Sequence, residues 1–321
     1  MIDPAIEARF IRLVRAIDPT WQLRATEILS GGVSAETTRL EIETGAGARR
    51  HLVVRRHGPR DLAANPDIAA QEFRLLTLLL AEGMAVPRPV HLDPGGNIFP
   101  TPVLVVDHIE GEAAADSAEP AALAEAMADY LARLHRIDGH RPDFSFMPRI
   151  ERRLAADLAH PPAEPDETLS ESRIRAALAR ATPPAGLNPP ALLHGDFWAG
   201  NVIWRDDAGG GKIAGAIDWE DSCIGDPLAE LGNARFELAW SLGMEHADRL
   251  TARYLSRAHR SLDIAALPVW DLYAALGPAG WLGNWGYEPD IERAMRSRHS
   301  EFVERALASA QFLPHHPKRP H

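Results

Sequence analysis

Apolar positions along the chain change their period several times, and each change marks an element. Over 5–17, Ile6, Phe10, Leu13, Val14 and Ile17 recur at helical spacing with arginines opposite, which predicts an amphipathic surface helix. Residues 21–29 and 36–44 alternate or carry β-formers on either side of Ser30-Gly31-Gly32-Val33-Ser34, the pattern of a hairpin with a glycine-rich bend. A third strand is expected over 49–56, a helix over 67–82 ended by Pro87 and Pro89, and a buried strand over 102–109. Beyond Gly111 the texture changes. Residues 112–120 read as a small, acidic loop, and 120–138 as a strong helix with Ser117 or Asp116 as its cap and Pro120 in its first turn. Helical character over 151–182 is interrupted by prolines, 191–219 reads as short strands around loops, and helices dominate from 227 onward.

This order predicts an α+β chain of two parts. A small antiparallel-sheet part occupies 1–111, and a larger helical part occupies 112–314 with a hairpin embedded in it. A frayed tail is expected at 315–321. At 321 residues the chain has room for both. Its net charge of −11 is unevenly placed: residues 1–111 hold 12 basic and 14 acidic side chains, so −9 belongs to the remainder. An acidic chain with no basic run lacks the footprint of a dedicated nucleic-acid binder. Cys223 is the only cysteine, which excludes an internal disulfide and a cysteine-built zinc site. No apolar run approaches bilayer length and the first residues hold no apolar signal core, so the cytoplasm is the expected compartment. Only Lys212 and Lys318 are lysines; the other 32 basic residues are arginines.

The chemistry concentrates in His194-Gly195-Asp196-x4-Asn201 and Ile217-Asp218-Trp219-Glu220. An apolar strand delivers Asp196 into a loop, Asn201 follows at the start of a second strand, and a turn returns a third strand that ends at Asp218. A hairpin of this length is expected to bring Asp218 back to the neighbourhood of Asn201. Phosphoryl transfer needs a carboxylate to orient and deprotonate a hydroxyl, and hard oxygen ligands for Mg2+. Asp196 is the candidate base, with Asn201 and Asp218 the candidate metal ligands. Asp-x4-Asn alone is common loop chemistry, since both residues cap and turn; the third acid and the strand pattern set this instance apart. His194 is expected to hold the loop rather than react, and Asp226 and Glu230 to brace it.

Together with Gly225-Asp226-Pro227, these motifs resemble the aminoglycoside phosphotransferase and choline-kinase-like family, over roughly 25–310. The resemblance implies a bilobal protein-kinase-like fold and the use of ATP, or sometimes GTP, with Mg2+. It places Gly31, Gly32 and Ser34 in the loop that covers the phosphates, a segment that by itself reads as an ordinary hairpin turn. It also implies nucleotide contacts from the backbones of Asp107 and Ile109. The family's third strand normally carries a lysine that meets the phosphates and is held by a helix carboxylate. Here Arg55 stands at that place with Glu72 as the expected partner, and Arg56 takes the role if the strand slips by one residue.

The acceptor is expected to be a small molecule bearing a hydroxyl, held near Asp196 by Glu220, Asp221, Trp285, Tyr287 and Glu288. Aromatics with carboxylates suit a cationic or sugar-like compound. Trp281 and Trp285, four residues apart, also fit one buried helix face. Antibiotic kinase, metabolic kinase of the choline, homoserine or sugar type, and nucleotide-binding pseudokinase scaffold remain the alternatives. A metal-dependent hydrolase would leave Arg55 and Glu72 unexplained. No nucleic-acid or membrane partner is expected, and the chain is either a monomer or a homodimer.

Overall fold

The computed structural model describes residues 3–29, 35–181, 188–207 and 210–310. They form two compact units, the first Met1–Gly111 with Ala214–Glu220 and the second Glu112–Ile213 with Asp221–His321. The expected bend at 30–34, with Gly31, Gly32 and Ser34, and the expected tail at 315–321 lie outside the described residues.

The first unit runs α1 (Pro4–Ile17), β1 (Gln22–Ile28), β2 (Ala35–Glu43), β3 (Arg49–His57), α2 (Pro59–Ala64), α3 (Ile68–Ala81), β4 (Pro89–Asp93) and β5 (Val103–Asp107). Among the described residues its five strands form one sheet in the order β1-β2-β3-β5-β4, every neighbouring pair antiparallel. Alternation along β2 and β3 turns Leu40, Ile42, Leu52 and Val54 inward, where Phe10, Leu13 and Val14 of α1 cover them together with Phe99, Val103 and Val105. The expected amphipathic helix is therefore one wall of this core. Pro89, read as a stop after α3, begins the edge strand β4, a position where proline's missing N–H is tolerated.

The second unit begins with β6 (Glu112–Ala113), α4 (Ala114–Ser117), α5 (Pro120–Leu134), α6 (Ile150–Ala159) and α7 (Glu171–Ala181). It continues with β7 (Ala191–Leu193), β8 (Val202–Asp207), β9 (Gly210–Ala216) and β10 (Cys223–Gly225). The helices α8 (Pro227–Ser241), α9 (Met244–Arg257), α10 (Leu267–Ala274) and α11 (Pro289–Ala310) close the described chain. The segment 112–120, read as a loop, holds β6 and α4. The cap of α5 is Glu119, whose carboxylate accepts from Ala122 N–H at 2.9 Å, rather than Ser117 or Asp116. Those two residues are already inside α4, too far upstream to reach the open N–H groups of α5. Nearly every residue of α8 from Leu228 to Trp240 is buried, and α9, α10 and α11 all pack against it. A fork of hydrogen bonds from Arg235 of α8 to Asp271 of α10, at 3.0 and 3.2 Å, is buried with them.

The division of the chain differs from the expected one at a single short return. Ala214–Glu220 packs with the first unit, although the residues on both sides belong to the second. Ala216 N–H donates to the Ala85 carbonyl at 3.0 Å. A Cβ at Gly215 would lie 2.5 Å from Ile109 Cδ1 and 3.2 Å from the Ala85 oxygen, so a side chain there would displace the end of Ile109 and press on the Ala85 carbonyl. This places Asp218 and Glu220 in the unit that carries Arg55.

Candidate active site

In the first unit a charged cluster forms around β3. Strand geometry puts Arg55 and His57 on the same face, two residues apart, and both are buried. Arg55 Nε lies 3.4 Å from Glu72 Oε1 of α3, while its Nη2 donates to Asp218 Oδ1 at 2.6 Å and to Glu220 Oε2 at 3.1 Å. His57 Nε2 stands 3.4 Å from Glu72 Oε2, and its Nδ1 stands 3.3 Å from Glu220 Oε2. Three carboxylates thus share two cations. Burial opposes the charge on Arg55, but Glu72 and then Asp218 raise its pKa above the ordinary arginine value. Burial likewise works against protonated His57, yet Glu220 and Glu72 hold the proton and push the imidazole up to about 9. Asp218 sits at φ +67°, a left-handed conformation that aspartate tolerates better than most residues but that still carries strain.

Arg56, the alternative to Arg55, points elsewhere: it pairs with Glu36 and lies over the Phe10 and Phe99 rings. The β3 register therefore gives Arg55, not Arg56, to Glu72. Asp107 ends β5 with its N–H donating to the Arg88 carbonyl at 2.9 Å. Its carboxylate accepts from Arg50 at 2.6 Å and from Arg88 at 2.8 Å. Ile109, half-buried, follows in the stretch after β5.

The second unit holds the loop that carries Asp196 and Asn201. Asn201 Nδ2 donates to both the backbone oxygen and Oδ2 of Asp196, each at 2.9 Å. With its amide nitrogen spent this way, the oxygen the side chain can offer to a cation is Oδ1. The loop is pinned from α8. Glu230 Oε2 accepts from His194 N–H at 3.0 Å and Oε1 accepts from Gly195 N–H at 2.8 Å. His135 Nε2 lies 3.1 Å from the same carboxylate, and its Nδ1 lies 2.7 Å from the Tyr254 hydroxyl. Burial alone would raise the Glu230 pKa, but His135 and the backbone N–H groups hold it below the usual carboxylate value. Gly195 turns at φ +89°, where a Cβ would meet the Asp221 oxygen at 2.0 Å, so no other residue fits. Glu230 is the brace expected of it. Asp226 instead caps α8 by accepting from Leu228 N–H at 2.9 Å, and it accepts from Asn188 at 3.1 Å.

Glu237, two turns beyond Glu230 on α8, feels the Asp196 carboxylate: burial first and that charge second push its carboxyl up to about 8. His57, His135 and Tyr254 were not singled out from sequence. His57 carried a signal, the i, i+2 spacing from Arg55 on one strand face. His135 and Tyr254 carried none, because a helix-end histidine and a core tyrosine look like packing.

The residues expected at the acceptor separate. Glu220, expected at the acceptor, is bound up with Arg55 and His57 in the charged cluster of the first unit. Asp221 Oδ1 lies 3.3 Å from Arg153 Nη2, and its backbone oxygen accepts from the same guanidinium. Trp285, Tyr287 and Glu288 are exposed, Trp285 stacking at a tilt on Trp240 with centroids 5.5 Å apart. Trp281 is 59% exposed, so it does not share a buried helix face with Trp285; the chain between them is a single 3-10 turn. A cavity of about 390 Å³ lies within the second unit, lined by Gly195, Arg153, Arg175, Asn233, Tyr273 and Trp281 among others. Cys223 also lines it, buried, with desolvation pushing its thiol up to about 12.

Asp218 offers a carboxylate in the first unit and Asn201 an amide oxygen in the second, each the kind of hard donor that Mg2+ takes.

The chain is 24% identical over 251 residues to acyl-CoA dehydrogenase family member 11 of Rattus norvegicus, covering 70% of this chain and 32% of that protein. It is 30% identical over 66 residues to viomycin phosphotransferase of Streptomyces vinaceus, covering 21% of this chain and 20% of that one. The chain spans about a third or less of the length of these curated relatives. Among solved structures, the GDP complex of wild-type aminoglycoside 2'-phosphotransferase-IIIa superposes with a TM-score of 0.64 at 15% identity, over 96% of this chain and 98% of that one. The likeness is one of fold and shows the kinase-like architecture expected from the sequence. The family model described as the phosphotransferase enzyme family matches residues 25–276, and the chain belongs to that family.

Proposed function

We propose that the protein transfers the γ-phosphoryl group of ATP to a hydroxyl of a small molecule. The observation that carries this reading is the buried Arg55 guanidinium, lodged between Glu72 and Asp218, an arrangement a hydrolase would not need. In this reading Arg55 binds the nucleotide phosphates and Glu72 fixes its position. A guanidinium can contact phosphate oxygens at two points where a lysine would act as a single charge. Asp107 and Ile109 offer backbone groups to the base of the nucleotide, and the phosphate-covering role expected of Gly31, Gly32 and Ser34 falls on residues outside those described. GTP is the alternative donor, since the similar aminoglycoside phosphotransferase structure is a GDP complex.

Asp196 is the general base. Its Oδ2 is fixed by Asn201, and the loop that carries it is fixed by Glu230, so its carboxylate is aimed before an acceptor arrives. The acceptor hydroxyl gives its proton to Asp196 as its oxygen attacks the γ-phosphorus, and the bond to the β–γ bridging oxygen breaks with ADP as the leaving group. Asn201 and Asp218 would hold Mg2+, which when bound neutralises the charge on the phosphates. Asp218 holds Oδ1 toward Arg55, which leaves Oδ2 as the oxygen it would offer that ion.

The antibiotic reading of the acceptor is supported by the viomycin kinase match and by the exposed Trp285, Tyr287 and Glu288, which suit a cationic compound. Asp221 remains available to such an acceptor only in exchange for Arg153. The name of the rat relative favours a second acceptor class, a hydroxylated acyl conjugate, and the Arg153 and Arg175 side chains of the 390 Å³ cavity suit its anionic groups. Nucleotide consumption screened over aminoglycosides, macrolides, choline-like amines, sugars and hydroxyacyl conjugates distinguishes them. Asp196→Ala should abolish transfer to the acceptor so found while nucleotide binding survives. Equal turnover by wild type and that variant would falsify the assignment, and nucleotide binding with no turnover on any acceptor would favour the scaffold reading.

A further inference from the structure

Three donors outside the residues given roles above meet in the first unit: His51 of β3, and His108 and Glu110 of the stretch after β5. His51 Nδ1 lies 3.2 Å from Glu110 Oε1, and His108 Nδ1 lies 3.3 Å from the same oxygen. One ligand atom from each of the three residues falls within 4.8 Å of the others. The two segments are themselves joined, because His108 N–H donates to the His51 carbonyl at 3.1 Å. The two rings stand edge to face with centroids 5.9 Å apart. Both imidazoles therefore present the same kind of nitrogen to one carboxylate oxygen from a hydrogen-bonded frame.

Those separations are informative. Donors ~2.0–2.2 Å from a tetrahedral zinc ion stand about 3.3–3.6 Å from one another. The two nitrogen–oxygen edges are already at that length or just under it, and the nitrogen–nitrogen edge lies within 4.8 Å, so closing it completes the donor set. Both Nδ1 atoms lie within hydrogen-bonding reach of the one Glu110 oxygen, so an ion bound there would take the place of those contacts. The adjacent guanidiniums do not compete for Glu110, since Arg50 and Arg88 are engaged with Asp107. Two imidazoles with one carboxylate suit zinc and its transition-series neighbours; magnesium and calcium prefer oxygen throughout.

We propose that His51, His108 and Glu110 bind a divalent transition metal of the zinc class, with the remaining coordination position open to water. The ion ties β3 to the chain that follows β5. The site uses none of the residues proposed to hold Mg2+, and its test involves no nucleotide, so it stands or falls apart from the kinase reading.

The test titrates Zn2+ calorimetrically into the full chain, in a background where His315, His316 and His321 are replaced by alanine so that tail histidines do not contribute. One ion per chain is expected. His51→Ala, His108→Ala and Glu110→Ala should each weaken binding at least ~10-fold, the lower end of what even outer-sphere partners of a metal cost. His91→Ala, a histidine of β4, should leave it unchanged. Co2+ in place of Zn2+ should give the intense visible bands of tetrahedral coordination, lost in His51→Gln and His108→Gln, whose folding is checked by circular dichroism. Zinc binding that is absent, or equally tight in wild type and in folded His51→Gln and His108→Gln, would overturn the proposal.

Discussion

The two units each bury a carboxylate beside a candidate reactive group, and they neutralise it in opposite ways. In the first unit Glu72, Asp218 and Glu220 are balanced by the side-chain cations Arg55 and His57. In the second, Glu230 is balanced mainly by the main-chain N–H groups of His194 and Gly195, with His135 behind it. A side-chain cation can swing away when a better anion or a metal arrives; a main-chain N–H cannot. The first arrangement is thus suited to exchanging partners, as nucleotide and metal binding require. The second is suited to holding a loop still, as a general base requires. The difference is sharpened by excess: three carboxylates against two cations leave the first cluster short of positive charge.

This contrast can be broken at the brace. Glu230→Gln keeps the volume but turns one hydrogen-bond acceptor into a donor facing a backbone N–H. Leaving such a buried group unpaired costs about 1–3 kcal/mol, and the lost charge adds to it. A fall in stability of ~3 kcal/mol and a fall in kcat of ~10-fold or more are expected, with nucleotide KM nearly unchanged, because the base is no longer aimed. Steady-state kinetics with thermal unfolding check this, and an unaltered kcat in a folded variant would contradict the bracing role. Arg55 should behave in the reverse sense. Arg55→Ala removes the phosphate contact and leaves Glu72, Asp218 and Glu220 to repel one another, so nucleotide KM should rise ~10-fold or more. Arg55→Lys should recover part of that affinity, since charge is restored without the two-point geometry. A variant with unchanged nucleotide KM would remove Arg55 from the site.

Much of this was legible in the order of residues. The periods of 2 and 3.6 located β1 to β3, α1, α3 and α5 to within a few residues, because each buries a single face. The short elements were not legible: β4 starts at a proline, β6 has two residues, and α2 and α4 are too brief for any period to register. In the candidate site, Arg55 and Glu72 were found together and Glu230 was found as a brace. The contacts of Glu220 with Arg55 and His57 were not legible, because they depend on the return of 214–220 onto the first unit. His135 and Tyr254 could not be found, since their role depends on α5 and α9 packing side by side, a contact between residues 119 positions apart.

The finest probe of the contrast is the proton on His57. Glu72 and Glu220 face the ring, Arg55 opposes its charge, and the balance leaves its pKa at about 9, above the ordinary value near 6.5. A raised folded-state pKa means that the charged ring stabilises the fold fully below about pH 6.5, and that this stabilisation is lost as pH rises through about 9. The interval corresponds to a contribution on the order of 3 kcal/mol. His57→Gln removes it, so the gap in unfolding free energy between wild type and variant should be largest near pH 6 and should close by about pH 10. The brace makes the opposite prediction for its own region, since the main-chain N–H groups of His194 and Gly195 that bind Glu230 do not titrate. Urea unfolding of both proteins across this range decides the matter: a gap that stays constant with pH would mean that His57 is neutral in the fold, and that Arg55 alone balances the three carboxylates.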